Sequence, residues 1–233
     1  MSLFSAIFRR DKAGARSLSA YVDHHSHILP GVDDGFRCID DSLKCIDTYE
    51  RWGFAEIWLT PHIMEDFPNT TDSLRVRFDE LSAAYKGPVK LHLASENMID
   101  TLFVERLANN DFLPMGDHLL VETSYFDAPE NFHEVLEEIK KKGYRPLLAH
   151  PERYRYMDFD EYENLLSKGI EFQLNIFSLL GMYGTLAREN ARHLLKQGAY
   201  TLSGTDVHNL RQTEALNELI KDNAICQAIT SLK

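Results

Sequence analysis

From Tyr21 onward, short apolar runs alternate with stretches of helical periodicity. The runs at 21–25, 55–60, 89–95, 118–123, 145–149, 171–175 and 199–204 read as strands, each short and bounded by turn residues or charges. Between them Ile39, Leu43, Ile46 and Tyr49 recur at helical spacing, as do Leu74, Phe78, Leu81 and Tyr85. Val135, Leu136 and Ile139, then Leu165 with Leu166 and Leu194 with Leu195, continue the series. Such alternation is the mark of repeated β-α units on a largely parallel sheet, so the pattern predicts a single α/β barrel or sheet. No Gly/Pro/Ser-rich linker or short-period repeat divides it. The expected organisation is one domain over 21–233 preceded by a tail over 1–20.

That tail has a different character. An apolar octet, Met1 to Phe8, precedes Arg9, Arg10, Lys12 and Arg16, the reverse of a signal peptide's order. It reads either as a poorly packed terminus or as a foot on anionic lipid. At 44% apolar and 26% charged, the 233-residue chain is of globular composition, and no apolar stretch approaches the ~20 residues of a membrane span. Stable membrane insertion is therefore not expected. A net charge of −11 repels phosphate backbones, which argues against nucleic acid as a partner. Three cysteines are too few and too irregularly spaced for a disulfide framework or a thiolate zinc site, so a cytoplasmic location is expected.

The chemistry lies at the ends of the apolar runs. YVDHHSH closes on His25 and His27, EIWLTPH on His62, KLHLASE on Glu96, LLVETS on Glu122, PLLAHPER on His150, and YTLSGTDVH on Asp206 and His208. Parallel strands present their carboxyl ends on one face, so residues scattered over nearly the whole chain would converge there. His25 and His27, two apart on an extended segment, point to one side, whereas His24 points to the other and reads as structural. Asp33-Asp34-Gly35 after Pro30-Gly31 is equally good turn chemistry, and any one of these elements alone is weak. Together, nitrogen and oxygen donors at six of seven strand ends point to bound metal. His25, His27, Asp34, His62, Glu96, Glu122, His150, Asp206 and His208 exceed what one ion takes, so two or three divalent ions are expected. Imidazole and carboxylate without thiolate favour Mn, Fe or Zn. Arg153, three residues after His150, offers a guanidinium suited to phosphate.

One motif is a decoy. Cys45 and Arg51 have the Cys-x5-Arg spacing of thiol phosphatases, yet the intervening residues include Asp47 and Glu50, lack glycine, and lie on an amphipathic helix. Helical amides are already bonded, and the acids repel phosphate and disfavour a thiolate.

The ordered set HHSHILPGVDDG, TPH, ASEN, VETS, AHPERY and GTDVHN resembles the polymerase-and-histidinol-phosphatase (PHP) family, and more narrowly the bacterial metal-dependent protein tyrosine phosphatases of capsule and exopolysaccharide clusters. The resemblance covers all but the tail. It implies a distorted seven-stranded β/α barrel, TIM-like, with a trinuclear site at its mouth. By position it implies His25, His27, Glu96 and Asp206 around one ion, Glu96 bridging to a second held by Glu122 and His150, and Asp34, His62 and His208 around a third. Arg153 matches the arginine expected to bind substrate phosphate. Arg211 stands near the place of a second one, at different spacing, and Asp206 or His208 is expected to shuttle a proton.

The implied activity is phosphotyrosine hydrolysis on a partner, a bacterial tyrosine kinase tail, by a hydroxide held between two ions. A phenol of pKa ~10 is a good leaving group, so little acid assistance is needed. The alternatives are a histidinol-phosphate phosphatase of the same family, a catalytically silent metal-binding regulatory module, and, disfavoured by charge, a nuclease. A place at the inner membrane would follow if the tail touches lipid; the oligomeric state is open.

Overall fold

The computed structural model describes residue 18 and residues 20–232. The tail expected over 1–20 lies almost wholly outside the described residues. The fold is mixed α/β with two all-parallel sheets. Strands β1 (Val22–Asp23), β2 (Glu56–Leu59) and β4 (Lys90–Leu93) form the smaller, ordered β1-β2-β4. Strands β3 (His62–Ile63), β5 (Glu96–Met98), β6 (His118–Glu122), β7 (Arg145–Ala149), β8 (Glu171–Asn175) and β9 (Tyr200–Gly204) form the larger, in that order.

The expected seven uninterrupted strands are thus corrected. The second and third are each followed, past a break in the ladder, by a further short strand, β3 after β2 and β5 after β4, and the strands form two sheets that do not close into one ring. At the first break Pro61 has no N–H to donate, and Thr60 N–H turns to Ser26 O at 2.8 Å. At the second, Ser95 N–H turns to Leu113 O at 3.0 Å. Ala94 N–H to Leu59 O (2.9 Å) and Glu96 N–H to Pro61 O (3.2 Å) carry the chain pairing across both breaks. At the other edge, His24 N–H reaches Ser203 O at 3.2 Å and His27 N–H reaches Val207 O at 3.0 Å, around a lone parallel bridge Ser26–Val207. The buried Asp23 carboxylate binds there too, accepting from Thr205 N–H (2.8 Å) and Oγ1–H (2.7 Å).

Helices pack outside. Ile39–Trp52 ends on Gly53 in the left-handed region at φ 83, while Thr71–Ala84 begins with a reciprocal Thr70–Ser73 capping box. Asp158 caps Phe159–Ser167 and Asn209 caps Leu210–Leu219, each accepting a backbone N–H of the first turn. Strand periodicity of two divides the apolar residues. Leu119, Val121 and Leu148 join the large cluster beneath the helices. Leu120, Leu147, Ala149 and Leu202, with Ala94 and Met115, fill a small cluster on the opposite face. Among the described residues no helix is long and apolar enough to cross a membrane.

Candidate metal centre

Strand direction delivers the donors. His25 and His27 follow β1, His62 and Glu96 open the short strands β3 and β5, Glu122 ends β6, His150 follows β7, and Asp206 and His208 follow β9. His150 (φ 35) and Asp206 (φ 53) both stand in the left-handed region, which costs a non-glycine residue about 1–3 kcal/mol. Both are pinned there, by His150 N–H to Gln173 O at 2.9 Å and Asp206 N–H to His25 O at 2.7 Å. Gly204 lets β9 approach: a Cβ on it would lie 2.5 Å from His25 Cβ and 2.6 Å from His25 N. Gly35 is equally close to His27 O and Cβ.

The donors gather in three groups, His25–His27–Glu96–Asp206, His62–Glu96–Glu122 and His27–Asp34–His62–His208, each able to hold an ion. In the first, His25 Nε2 and His27 Nε2 are 3.2 Å apart, each 3.2 Å from Glu96 Oε2, and 3.5 and 3.2 Å from Asp206 Oδ1. In the second, His62 Nδ1 lies 3.1 Å from Glu96 Oε2 and 3.0 Å from Glu122 Oε1, while His150 Nε2 is 3.0 Å from Glu96 Oε1 and 3.9 Å from Glu122 Oε2. In the third, Asp34 Oδ1 is 3.6 Å from His62 Nε2 and 3.5 Å from His208 Nε2. The site is buried except at Asp34, which is exposed, and at half-buried His208.

Three imidazoles have their tautomer set from behind. His25 Nδ1–H donates to Gln173 Oε1 (3.0 Å), His27 Nδ1–H to Asp33 Oδ2 (2.8 Å) and His208 Nδ1–H to Asp206 O (2.8 Å). Each Nε2 is thereby left with its lone pair toward the group, as a metal ligand requires. Four acceptors then face one another at 3.2–3.5 Å in the first group. That spacing matches the ~3.0–3.4 Å edge of a coordination polyhedron with bonds near 2.0–2.1 Å. Buried His62 Nδ1, Glu96 Oε2 and Glu122 Oε1, although close together, have no hydrogen-bond partner among the described residues. Buried polar atoms are not normally left so, and a cation resolves the conflict. The donor set therefore fits divalent metal.

The electrostatics agree. Burial pushes the His25 imidazole down, but Glu96 and Asp206 outweigh it and raise its pKa to about 9. Burial opposes ionisation of Glu96 as well, yet His25 and His62 hold its carboxyl well below the usual range. Positive charge is what this pocket is built to stabilise.

A cleft of about 400 Å³ opens over the groups, lined among others by Asp34, His150, Arg153, Asp206, His208 and Tyr125. Arg153 Nη1–H donates to Asp206 Oδ2 at 2.6 Å. Arg211 is exposed on the first turn of helix Leu210–Leu219, and its neighbours Asn209 and Gln212 line the cleft. Of the partners of His27 and His25, Asp33 reads in the sequence only as turn chemistry and Gln173 carries no expectation there. Gln173 left one signal, a polar residue between Phe172 and Leu174, and the strand register shifts between Phe172 and Gln173. Cys45 is buried in helix Ile39–Trp52 against Thr213 Oγ1 at 3.2 Å, and burial pushes its thiol far up.

Comparison with known proteins reaches the same place. YwqE of Bacillus subtilis (strain 168), a tyrosine-protein phosphatase, is 28% identical over 198 residues, 82% of this chain and 78% of that protein. CpsB of Streptococcus pneumoniae, also a tyrosine-protein phosphatase, is 25% identical over 210 residues, 81% of this chain and 83% of that one. The crystal structures of YwqE from Bacillus subtilis and CpsB from Streptococcus pneumoniae, described as metal-dependent tyrosine phosphatases, include a match with TM-score 0.79 and 26% identity, over 90% of this chain and 91% of that one. The sequence profile of capsular polysaccharide synthesis proteins CpsB/CapC matches residues 21–221, a span that contains every donor described above, and the chain belongs to that family.

Proposed function

We propose that this protein is a metal-dependent protein tyrosine phosphatase acting on a bacterial tyrosine kinase of capsule or exopolysaccharide synthesis. The observation that carries the reading is the convergence of nine imidazole and carboxylate side chains on one cleft with Arg153 at its wall. His25, His27, Glu96 and Asp206 would hold one ion, Glu96, Glu122 and His150 with His62 a second, and Asp34, His62 and His208 with His27 a third. Mn, Fe and Zn all suit such donors. Bound divalent ions supply Lewis acidity, lowering the pKa of water and offsetting the charge of phosphate.

The chain's own groups do the rest. Asp206 uses Oδ1 toward the two histidines and Oδ2 toward Arg153 (2.6 Å) and Asn175 Nδ2–H (2.9 Å), so it ties the arginine to the ion site. Arg153 binds phosphoryl oxygens with its remaining N–H groups. Arg153 and the bound cations together would offset the repulsion between an anionic phosphate and a chain of net charge −11. A leaving phenol of pKa ~10 needs little protonation, so Asp206 and His208 can serve first as ligands. Arg211, exposed beside the cleft, has no established part in this scheme.

The same reading takes the two sheets as halves of a distorted seven-stranded β/α barrel, supported by the backbone bonds across Thr60–Pro61, Ala94–Ser95 and the β1–β9 edge. A cytoplasmic location suits such a substrate. The test is phosphate release from a phosphotyrosine peptide and from histidinol phosphate, each with and without Mn²⁺. Metal-dependent turnover of the peptide is expected; turnover that resists EDTA, or that prefers histidinol phosphate, contradicts the proposal.

A further inference from the structure

Arg153 reaches the cleft between two tyrosines from separate segments. Its Cζ lies 4.4 Å from the ring centroid of Tyr125, in the loop after β6, and 4.0 Å from that of Tyr183, in the turn between helices Ile176–Leu179 and Thr185–Lys196. Both distances are well inside the ~6 Å reach of a cation–π contact. All three side chains line the cleft. The guanidinium carries five N–H donors in one plane, and among the described residues only Asp206 Oδ2 accepts from it, through Nη1. Asn175 Nδ2–H donates to the same Asp206 Oδ2 at 2.9 Å, so the carboxylate that holds Arg153 is itself held from a second side.

We propose that Tyr125 and Tyr183 are positioning residues that clamp the two faces of the Arg153 guanidinium, so that its unused N–H edge is presented to two oxygens of the substrate phosphoryl group. An arginine beside a carboxylate tends to rotate into a two-point pair with it, which would consume the very donors a phosphate needs. Rings packed against the guanidinium resist that rotation. They satisfy the faces of the cation without accepting its in-plane hydrogens, and they remove rotamer freedom before substrate arrives. Asp206 fixes one corner and the rings fix the plane. The identity of the phosphoryl substrate rests on the phosphatase reading above, whereas the clamp depends only on the arrangement of these side chains.

The test is a double-mutant cycle read two ways on metal-loaded protein, by KM and kcat for a phosphotyrosine peptide and by the calorimetric Kd for inorganic phosphate. Tyr125→Leu and Tyr183→Leu are each expected to raise KM and phosphate Kd about five- to twentyfold, with kcat changed less. Tyr125→Phe, which restores a ring, is expected to recover both to within about twofold. In an Arg153→Ala background, Tyr125→Leu is expected to add less than about twofold, because the rings act through the arginine. Equal losses with and without Arg153, or a Phe variant as impaired as Leu, overturn the clamp. Wild-type protein that binds phosphate but leaves the peptide intact refutes the phosphatase reading instead, and the phosphate cycle still decides the clamp. Wild-type protein that binds no phosphate overturns both.

Discussion

Replacing Asp33 by asparagine should weaken metal binding although Asp33 reaches no ion site itself. Its carboxylate is buried, with Oδ2 accepting from His27 Nδ1–H at 2.8 Å and His62 N–H at 3.1 Å, and Oδ1 accepting from Gly35 N–H at 2.9 Å. Burial alone would raise its pKa, but the attraction of His27 prevails and lowers it, so the group is anionic in the folded protein. An asparagine keeps two of the three acceptor roles by facing its oxygen toward His27 and His62. Its amide then meets Gly35 N–H, donor against donor, at a stability cost of about 1–3 kcal/mol. The lost charge behind His27 also makes Nε2 a poorer donor to metal, and losing a partner of this kind behind a ligating imidazole costs about 10- to 100-fold in affinity, or about 1.4–2.8 kcal/mol. Competition with a chromophoric chelator for Mn²⁺ or Zn²⁺ measures the affinity, and thermal melting of the metal-free protein measures the stability separately. A variant that melts lower yet binds metal within twofold of wild type would refute the reasoning and reduce Asp33 to a turn residue.

Three further outcomes follow from the same geometry. Gly204→Ala places a methyl group 2.5 Å from His25 Cβ, so β9 must withdraw from the segment bearing His25; a stability loss of about 1–3 kcal/mol in denaturant titration and weaker metal binding are expected. Iodoacetamide should leave phosphate release unchanged while EDTA abolishes it, because the Cys45 thiol is buried and its pKa is pushed up by desolvation; loss of activity on alkylation that Cys45→Ser prevents would contradict this. Glu152→Ala should cost about 2–4 kcal/mol in chemical denaturation, since the buried carboxylate accepts from Asn175 N–H (3.0 Å), Ser178 Oγ–H (2.8 Å) and Tyr200 Oη–H (3.0 Å), all left without an acceptor by the substitution.

The candidate donors other than Asp34 are legible in the sequence because they interrupt a regular signal: each stands where an apolar run stops, and parallel topology then brings run ends together. His62 and Glu96 show the limit. Both were read as strand ends but begin new short strands, since the chain changes hydrogen-bond partner at Thr60–Pro61 and at Ala94–Ser95, and partner exchange leaves little trace in local periodicity. The second layer was less legible for a related reason. Asp33 is six residues from His27 and looks like any turn acid, while Gln173 meets His25 across 148 positions of sequence. Tyr125 and Tyr183 carry no mark in the local sequence, and only three-dimensional packing puts both against Arg153.

The central claim is that these side chains cage several cations at one cleft. Anomalous diffraction from crystals grown with Mn²⁺ tests it directly. Peaks are expected at two or three positions, within coordinating distance of the His25–His27–Glu96–Asp206, His62–Glu96–Glu122–His150 and His27–Asp34–His62–His208 groups. A fully loaded crystal with no peak among them, or with the donors turned away from a common centre, would contradict it.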